Sequence, residues 1–339
     1  MALTHGGQLS NVAAAFGLDE EGWLDLSTGI SPYPFPYPEP IPSIADNLFR
    51  DLPQVSAEFC FAASNYYGTK DLLVTAGSQP VIAALPSLLL DENSSARIFI
   101  PEIGYKEHEF AWKKASVEVC FYRSLPSIEQ LQEKDLVLVI NPNNPGCDFY
   151  EPELLEEYLR RLGKLNGKLI VDEAFIDARV EEGHSMIRAH MPEALVVLRS
   201  VGKFFGLAGL RVGFVAANRS LLQKINELLG PWSVNGPALK ICELALTNRE
   251  WQVSQRKRIR TQREKLIAIL TQYFASENIR HGELFVTVKM EVDKAAWIFE
   301  ALAKQKIYIR LCDEKDCVRF GLATDVELQR LEKALSDIG

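Results

Sequence analysis

The chain has 339 residues, 47% of them hydrophobic and 24% charged, with a formal net charge of −8. This length predicts two domains, and this composition is typical of a soluble globular protein. The net charge argues against a nucleic-acid partner, and the one basic block, Arg256 to Arg263, has the spacing of a solvated helix face. Scattered cysteines without a Cys-x-x-Cys pair indicate a reducing cytoplasm, and no apolar run is long enough to span a membrane.

The N-terminal part of the chain is unusual for its prolines. Residues 8–17 predict a short amphipathic helix, and residues 23–26 predict a brief extended segment. From Pro32 to Pro42 every second residue is proline. Proline has no backbone N–H and restricts the residue before it, so this stretch predicts an extended arm. The aromatic residues between the prolines favour an arm that packs on the protein over a simple linker.

Apolar runs of strand length then alternate with helix-like stretches. The strand-like runs are 72–75, 97–101, 117–122, 136–141, 168–175, 194–200 and 211–217. The helix-like stretches are 44–48, 55–66, 80–90, 105–114, 128–133, 151–162 and 184–190. Continuous apolar strands that alternate with helices predict an α/β domain whose mostly parallel sheet is covered on both faces.

The pattern changes at residues 231–237, where a long helical region begins. Short strands at 283–290, 307–311 and 317–323 then surround helices at 295–304 and 326–335, which predicts a smaller α+β domain. We therefore predict three units. Residues 1–49 form an N-terminal arm and part of the small domain, residues 50–235 the large domain, and residues 236–339 the C-terminal small domain.

The stretch from Leu198 to Phe214 contains one lysine, Lys203, in a loop rich in glycine. Ser200 lies three residues before this lysine and Arg211 lies eight after, among residues that are mostly apolar or small. A lone Gly-Lys pair is more often a surface turn, but a hydroxyl, an amine and a guanidinium together indicate a buried anion beside a lysine. Pyridoxal phosphate is such a ligand, because its aldehyde would bind the lysine and its phosphate the other two groups.

Three further segments follow predicted strands, at the edge where an open α/β sheet binds ligands. Gly77 and Ser78 precede a helix, whose free N–H groups and dipole can bind an anion. The turn from Asn141 to Pro145 contains three asparagines, whose amides would point outward. Asp172 ends a buried strand and needs a cationic partner, such as a protonated pyridine nitrogen. Taken singly, these segments could also be a helix start, a plain turn and a helix N-cap.

The order of these motifs resembles that of the fold-type I pyridoxal phosphate enzymes of the aminotransferase class I and II group. The motifs are N-P-N-N-P at 141–145, D-E-A-F at 172–175 and S-x-G-K-x-x-G-L-x-G-L-R-x-G at 200–213. Closer features are similar to the L-threonine-O-3-phosphate decarboxylase family: H-G-G at 5–7, L-D-L-S-T-G-I-S-P at 24–32, D-E-A-F-I-D at 172–177 and P-W-S-V-N at 231–235. Phe175 stands where many aminotransferases have tyrosine, and Gly146-Cys147 stands in place of Thr-Gly.

The resemblance implies a cofactor role for each matching position, so that the large domain would bind pyridoxal 5'-phosphate. Lys203 would bind the cofactor aldehyde covalently, and Asp172 would pair with the pyridine nitrogen. Tyr105 would stack on the ring, and Asn144 would hydrogen-bond to the ring 3-oxygen. The positions implied for the cofactor phosphate are Gly77, Ser78, Ser200 and Arg211. In a homodimer with shared active sites, Tyr67, or alternatively Tyr66, would reach the phosphate of the other subunit.

The resemblance also implies a reaction, the decarboxylation of L-threonine O-3-phosphate to (R)-1-aminopropan-2-yl phosphate in cobalamin biosynthesis. The matching substrate positions are His5, Gly6, Gly29, Asn144, Arg310 and Arg319, of which Arg319 corresponds to the carboxylate-binding arginine of the superfamily. Cofactor residues alone do not separate loss of carbon dioxide from transamination, and which arginine holds which anion stays open.

Two alternative functions are less well supported by the sequence. An aminotransferase for a phosphorylated substrate such as histidinol phosphate needs the same cofactor residues, but the H-G-G and P-W-S-V-N motifs argue against it. A regulatory module that binds the cofactor without catalysis is disfavoured by the intact Lys203, Asp172 and Arg211.

Overall fold

The computed structural model describes residues 6–37, 46–90, 96–179 and 183–338. The α-helices in these ranges are α1 (Leu9–Phe16), α2 (Asn47–Arg50), α3 (Ala57–Tyr67), α4 (Gln79–Leu89), α5 (Lys106–Lys114), α6 (Pro152–Lys164), α7 (Val201–Phe204), α8 (Arg219–Leu229), α9 (Gly236–Thr247), α10 (Arg249–Leu270), α11 (Val292–Lys304) and α12 (Asp325–Ile338). The β-strands are β1 (Leu24–Asp25), β2 (Leu72–Thr75), β3 (Arg97–Pro101), β4 (Glu118–Tyr122), β5 (Leu136–Ile140), β6 (Lys168–Asp172), β7 (Leu195–Ser200), β8 (Gly213–Ala216), β9 (Ile279–His281), β10 (Phe285–Lys289), β11 (Ile307–Tyr308), β12 (Arg310–Leu311) and β13 (Cys317–Gly321).

The large sheet has seven strands in the order β2-β8-β7-β6-β5-β3-β4. Its pairs are parallel except those of β8, which runs antiparallel to β2 and β7. Every residue of β5 is buried. Alternate residues of the central strands enter two apolar clusters, one with Trp112 of α5 and the other with Leu155 of α6. The predicted α/β class with a mostly parallel sheet covered on both faces is therefore confirmed.

A second, antiparallel sheet of four strands has the order β12-β13-β10-β9, and β1 pairs in parallel with β11. The long helical region predicted after residue 236 consists of two helices, α9 and α10. The predicted domain boundaries stay predictions. Within the ranges described, no helix is both long enough and apolar enough to cross a bilayer.

The described part of the proline-rich arm packs against the short helix α7, which contains Lys203 in place of the predicted loop, as the aromatic residues of the arm indicated. The Ser31 backbone N–H donates to the Lys203 carbonyl at 3.0 Å, and that of Phe35 donates to the Phe205 carbonyl at 2.8 Å. From α10, Gln255 Nε2 donates to Ser31 Oγ at 2.7 Å. The arm therefore contacts the segment that contains Lys203 and fixes it from one side. Residues 38–45, with the last three prolines, lie outside the described residues.

The helix predicted for residues 184–190 is wrong. The segment is irregular, and its groups serve a buried acid: Ser185 Oγ and the Met186 N–H each donate to the Glu173 carboxylate at 2.6 Å. A buried carboxylate without donors is costly, so these bonds replace the helical ones. The helix predicted for 128–133 is only a 3₁₀ turn, Ile128–Gln130.

Candidate active site

Several chain segments meet at one edge of the large sheet. β6 and β7 are parallel, so Asp172 and Ser200 both end there. β8 runs the other way, and its first residue, Gly213, pairs with both Ser200 and Thr75. Arg211, just before β8, therefore lies beside the turn that follows β2. A single antiparallel strand thus brings the predicted guanidinium to the carboxyl edge of the parallel strands.

A cavity of about 280 Å³ lies at this edge, between the large sheet and the four-stranded sheet. The structure brings together many of the predicted site residues in its walls. These lining residues are Gly6, Gly29, Tyr105, Asn144, Lys203, Arg211, Arg310 and Arg319. His5 lies outside the described residues.

Lys203 lies in the short helix α7 that follows β7, and its Nζ is 5.5 Å from the centroid of the Phe175 ring. Burial, reinforced by the positive charges of Arg319 and Arg211, lowers the pKa of Lys203 from 10.5 to about 8. The nearby carboxylate of Asp172 partly opposes this shift. The amine is thus partly neutral near physiological pH, as a nucleophile that attacks an aldehyde must be.

The lowered pKa of Lys203 gives a testable pH dependence. When pyridoxal phosphate is added to cofactor-free protein, we expect the rate of covalent capture to rise about tenfold per pH unit below pH 8. Above pH 8 the rate levels off, because the amine is then already neutral. Stopped-flow absorbance between pH 6.5 and 10 measures this profile, and Lys203→Ala provides the blank. A rate that keeps rising between pH 9 and pH 10 would contradict the assigned pKa.

Asp172 lies behind the cavity wall, with 3% of its surface exposed. Its Oδ2 is 2.9 Å from His108 Nε2, and its Oδ1 accepts from the Ala174 N–H at 3.0 Å. His108 belongs to α5 and is itself buried. The sequence analysis missed this histidine, although its position three residues after Tyr105 places both at the start of one helix. Hydrogen bonds thus fix the orientation of the acid predicted to face a pyridine nitrogen.

The predicted phosphate site depends on a close approach to Gly77. This residue has φ +78°, and a Cβ placed on it would lie 2.7 Å from Arg211 Nη2. Only glycine therefore allows the guanidinium to reach the start of α4, where helix N–H groups favour an anion. Ser78 and Ser200 precede α4 and α7, and neither side chain caps its own helix. Neither serine is among the residues that line the cavity.

Tyr105 forms one wall of the cavity at the start of α5. Its hydroxyl donates to Gln79 Oε1 at 3.1 Å. Burial, with the nearby carboxylates of Glu107 and Asp172, raises the pKa of Tyr105 to about 12. The ring is therefore uncharged at physiological pH, which suits the predicted stacking role.

Arg319 is buried in β13, directly opposite Arg310 of β12. It donates to Asn144 Oδ1 and to the Ser27 carbonyl, while its Nε has no hydrogen-bond partner within the described residues. Burial lowers the pKa of Arg319. The described residues supply no salt bridge to it. A buried guanidinium without a carboxylate partner is costly unless a ligand provides the anion.

Arg310 differs from Arg319 because it already has an acidic neighbour. Its Nη2 donates to Asp313 Oδ1 at 2.8 Å. Since residues opposite each other on antiparallel strands point to the same face, both guanidinium groups belong to one wall of the cavity.

Gly29 makes a second close contact in the wall. A Cβ on this residue would lie 2.8 Å from Phe175 Cε1, so any side chain there would displace the ring beside Lys203. Phe175 in turn packs edge-on against Phe285, with ring centroids 5.4 Å apart. The phenylalanine in place of tyrosine gives an apolar surface next to the lysine.

Tyr67 does not line this cavity. Its ring packs on Phe214 and lies 4.8 Å from Arg199 Cζ, and its hydroxyl is buried with no hydrogen-bond partner among the described residues. The hydroxyl of Tyr66 donates to Asp177 Oδ1 at 2.8 Å. The assignment of either tyrosine to the phosphate of another subunit stays a prediction, which the burial of the Tyr67 hydroxyl within its own chain does not favour.

Comparison with known proteins agrees with this geometry. The family model for class I and II aminotransferases matches residues 45–338. Threonine-phosphate decarboxylase from Pseudomonas aeruginosa is 36% identical over 98% of this chain and 97% of that protein. The chain belongs to the threonine-phosphate decarboxylases of the class I and II aminotransferase family. A histidinol-phosphate aminotransferase from Syntrophotalea carbinolica is 26% identical over 95% of this chain and 94% of that protein.

Solved structures of the family show the same fold. L-threonine-O-3-phosphate decarboxylase from Porphyromonas gingivalis has a TM-score of 0.74 at 20% identity, covering 93% of this chain and 99% of that chain. Histidinol-phosphate aminotransferase from Sinorhizobium meliloti, in complex with pyridoxal-5'-phosphate, has a TM-score of 0.80 at 16% identity, covering 100% of this chain and 96% of that chain. The fold is therefore that of the fold-type I enzymes, as predicted.

Proposed function

We propose that this protein is a pyridoxal 5'-phosphate-dependent lyase that decarboxylates L-threonine O-3-phosphate to (R)-1-aminopropan-2-yl phosphate. The observation that carries the proposal is the pair of opposed arginines, Arg310 and Arg319, in one cavity with Lys203. The substrate has two anionic groups, a carboxylate and a phosphate, and two guanidinium groups match them. The 36% identity to a threonine-phosphate decarboxylase over nearly the whole chain supports the same reaction.

The residues around the cavity fit this cofactor. Lys203 is placed to bind its aldehyde, Arg211 and the start of α4 to bind its phosphate, and Asp172 to pair with its pyridine nitrogen. The close approach at Gly77 leaves no room for a side chain beside the Arg211 guanidinium. When bound, the cofactor supplies the electron sink that accepts the electron pair left as carbon dioxide departs.

The side chains of the protein then decide which bond breaks. Asp172, held by His108, favours the protonated form of a pyridine nitrogen. The two arginines fix the substrate anions and so select which bond to Cα is aligned for cleavage. Lys203 lies in the same cavity and has a pKa of about 8, so its amine would be placed to return a proton to Cα.

The direct test is to incubate the cofactor-loaded protein with L-threonine O-3-phosphate and no keto acid. Carbon dioxide and aminopropanol phosphate are the expected products, and Lys203→Ala is the control. Amino transfer after addition of 2-oxoglutarate, without carbon dioxide, would favour the aminotransferase instead. Absence of visible cofactor absorbance and of a borohydride-reduced adduct would exclude both enzymes.

Arg319→Ala should raise KM for threonine phosphate by about 100-fold, because a charged, largely desolvated pair with the substrate is lost. The cofactor should stay bound, since Lys203 and Arg211 are unchanged. Steady-state kinetics and the cofactor spectrum measure the two effects. Arg280→Ala is the matched control: this exposed arginine of the same sheet pairs with Asp148 at 3.3 Å. Loss of the cofactor spectrum in Arg319→Ala would show that Arg319 is misassigned.

We also propose a cytoplasmic homodimer that acts in cobalamin biosynthesis. A run of large apolar side chains around α2 and α3 is exposed, as expected of a surface that another chain covers. These residues are Phe49, Leu52, Val55 and Phe61. All six cysteines are free, which fits a reducing compartment. Analytical ultracentrifugation of the wild type and of Phe61→Asp tests the dimer, because a charge in an apolar interface should dissociate it.

A further inference from the structure

The turn that joins β12 and β13 connects the two strands that carry Arg310 and Arg319, the arginines proposed to bind substrate. Arg310 and Arg319 lie opposite each other on the two strands, and residues 313–316 between the strands read Asp-Glu-Lys-Asp. The Cys312 N–H donates to the Cys317 carbonyl at 3.1 Å, so the strand pairing continues to the base of the turn. Cys312 and Asp313 line the active cavity. A shift of this turn would therefore move the guanidinium groups that are proposed to bind substrate.

The turn is tied to the opposite wall by Lys106. Lys106 Nζ lies 3.0 Å from Glu314 Oε1 and 3.5 Å from Glu109 Oε2, and it donates to the Glu102 carbonyl at 2.8 Å. Lys106 also lines the cavity and follows Tyr105, the residue assigned to stack on the cofactor ring. The ion pair thus joins the cofactor wall to the substrate hairpin.

Four observations separate this contact from an ordinary surface ion pair. The side chains of Lys106 and Glu314 are only 22% and 24% exposed. Burial alone would lower the pKa of Lys106, yet its pairing with Glu314 and Glu109 raises that pKa, so the ammonium form is favoured. The hydrogen bond to the Glu102 carbonyl already restricts the ammonium group, so less side-chain conformational entropy is lost when the ion pair forms. Lys106 belongs to α5, whereas Glu314 belongs to the turn between β12 and β13. The pair therefore fixes the distance between these two parts of the chain, which the local backbone does not set.

We propose that Lys106 and Glu314 form a clamp that positions Arg310 and Arg319 for a doubly anionic substrate. The clamp rests on the proposed function, because it assigns the hairpin arginines to substrate and Tyr105 to the cofactor. Neither clamp residue needs to touch the reacting atoms. They set the spacing between the cofactor wall and the two guanidinium groups, and so act on substrate affinity more than on the chemical step.

A double-mutant cycle on the cofactor-loaded enzyme tests the clamp. Glu314→Gln and Lys106→Met should each raise KM for threonine phosphate about tenfold and change kcat by less than about threefold. The double variant should resemble either single variant, because both remove the same contact. Asp316→Asn is the matched control on the same turn: its carboxylate lies 3.9 Å from the exposed Lys289, and it should stay within about twofold of wild type. Additive effects, or an unchanged KM, would overturn the clamp.

A second measurement does not depend on turnover. Lys315 is exposed at the tip of the turn, where trypsin can cleave. Lys106→Met leaves the sequence of the turn intact, so faster cleavage after Lys315 reports a released turn directly. The cofactor spectrum should stay that of wild type. Unchanged cleavage, or a loss of cofactor that accompanies it, would overturn the clamp.

The two proposals fail in distinguishable ways. If the wild type does not decarboxylate threonine phosphate, the proposed function fails. The clamp is then still judged by proteolysis and by the dissociation constant of threonine phosphate, followed through the cofactor spectrum. If the wild type is active and the cycle is additive, only the clamp fails.

Discussion

Replacing Lys203 with alanine should abolish turnover and covalent cofactor attachment together. The effect should be at least about 10⁴-fold on kcat, which corresponds to about 5.5 kcal/mol. Lys203 is the amine whose pKa burial lowers to about 8, so it can be a nucleophile near neutral pH. Lys106 also lines the cavity, but its ion pairs with Glu314 and Glu109 raise its pKa and so favour the protonated form, which is not a nucleophile. It cannot take over the role.

Borohydride reduction followed by peptide mass spectrometry provides the measurement. The wild type should carry the reduced cofactor on Lys203, and the alanine variant should carry none. Lys203→Arg is the matched control, because it keeps a positive charge at this position without a nucleophilic amine, and it should be equally inactive. An adduct on Lys106, or activity above about 1% of wild type, would refute the assignment.

Asp172→Asn should lower kcat by about 10³-fold, which corresponds to about 4 kcal/mol, while the cofactor stays attached. An amide cannot stabilise a protonated pyridine nitrogen as a carboxylate does, so the electron sink would be weaker. The cofactor spectrum and single-turnover release of carbon dioxide separate attachment from chemistry. Asparagine has nearly the same shape, and so the contact with His108 can persist in the variant.

Glu173→Gln is the matched control for Asp172→Asn, because it changes the next acid in the same motif. Glu173 is buried and contacts Ser185, Met186 and Arg199 instead of His108. We expect this variant to lower the melting temperature but to change kcat per folded molecule by less than about threefold. If both variants lost kcat equally, Asp172 would have no special link to the cofactor.

The motif residues could be proposed from the sequence because each follows a predicted strand and their order along the chain resembles that of a known family. For Lys203, Asp172 and Arg211, no single segment was sufficient, and the combination of motifs supplied the roles. The partners that orient them were not predictable in the same way. His108 reaches Asp172 across 64 positions of sequence, and Lys106 of α5 reaches Glu314 in the turn between β12 and β13. Such contacts follow from packing, which a local pattern does not encode.

The wrong helix at residues 184–190 has a comparable cause. Its sequence carries a helical spacing of apolar residues, but the buried Glu173 carboxylate takes the N–H of Met186 and the hydroxyl of Ser185. The need of the buried Glu173 carboxylate for hydrogen-bond donors thus outweighed the local helix propensity of this segment. Tyr67 shows the same limit, because its sequence position beside Tyr66 gave no sign that its hydroxyl would be enclosed within its own chain.

The contact between Arg319 and the Ser27 carbonyl joins residues 292 positions apart. During synthesis, the N-terminal segment therefore leaves the ribosome long before the strand that receives it. The large sheet, which lies between residues 72 and 216, can assemble first, since domains generally fold as units as they emerge. The residues proposed for the cofactor can thus come together early on the nascent chain, whereas the arginines proposed for the substrate must wait until β13 has been translated.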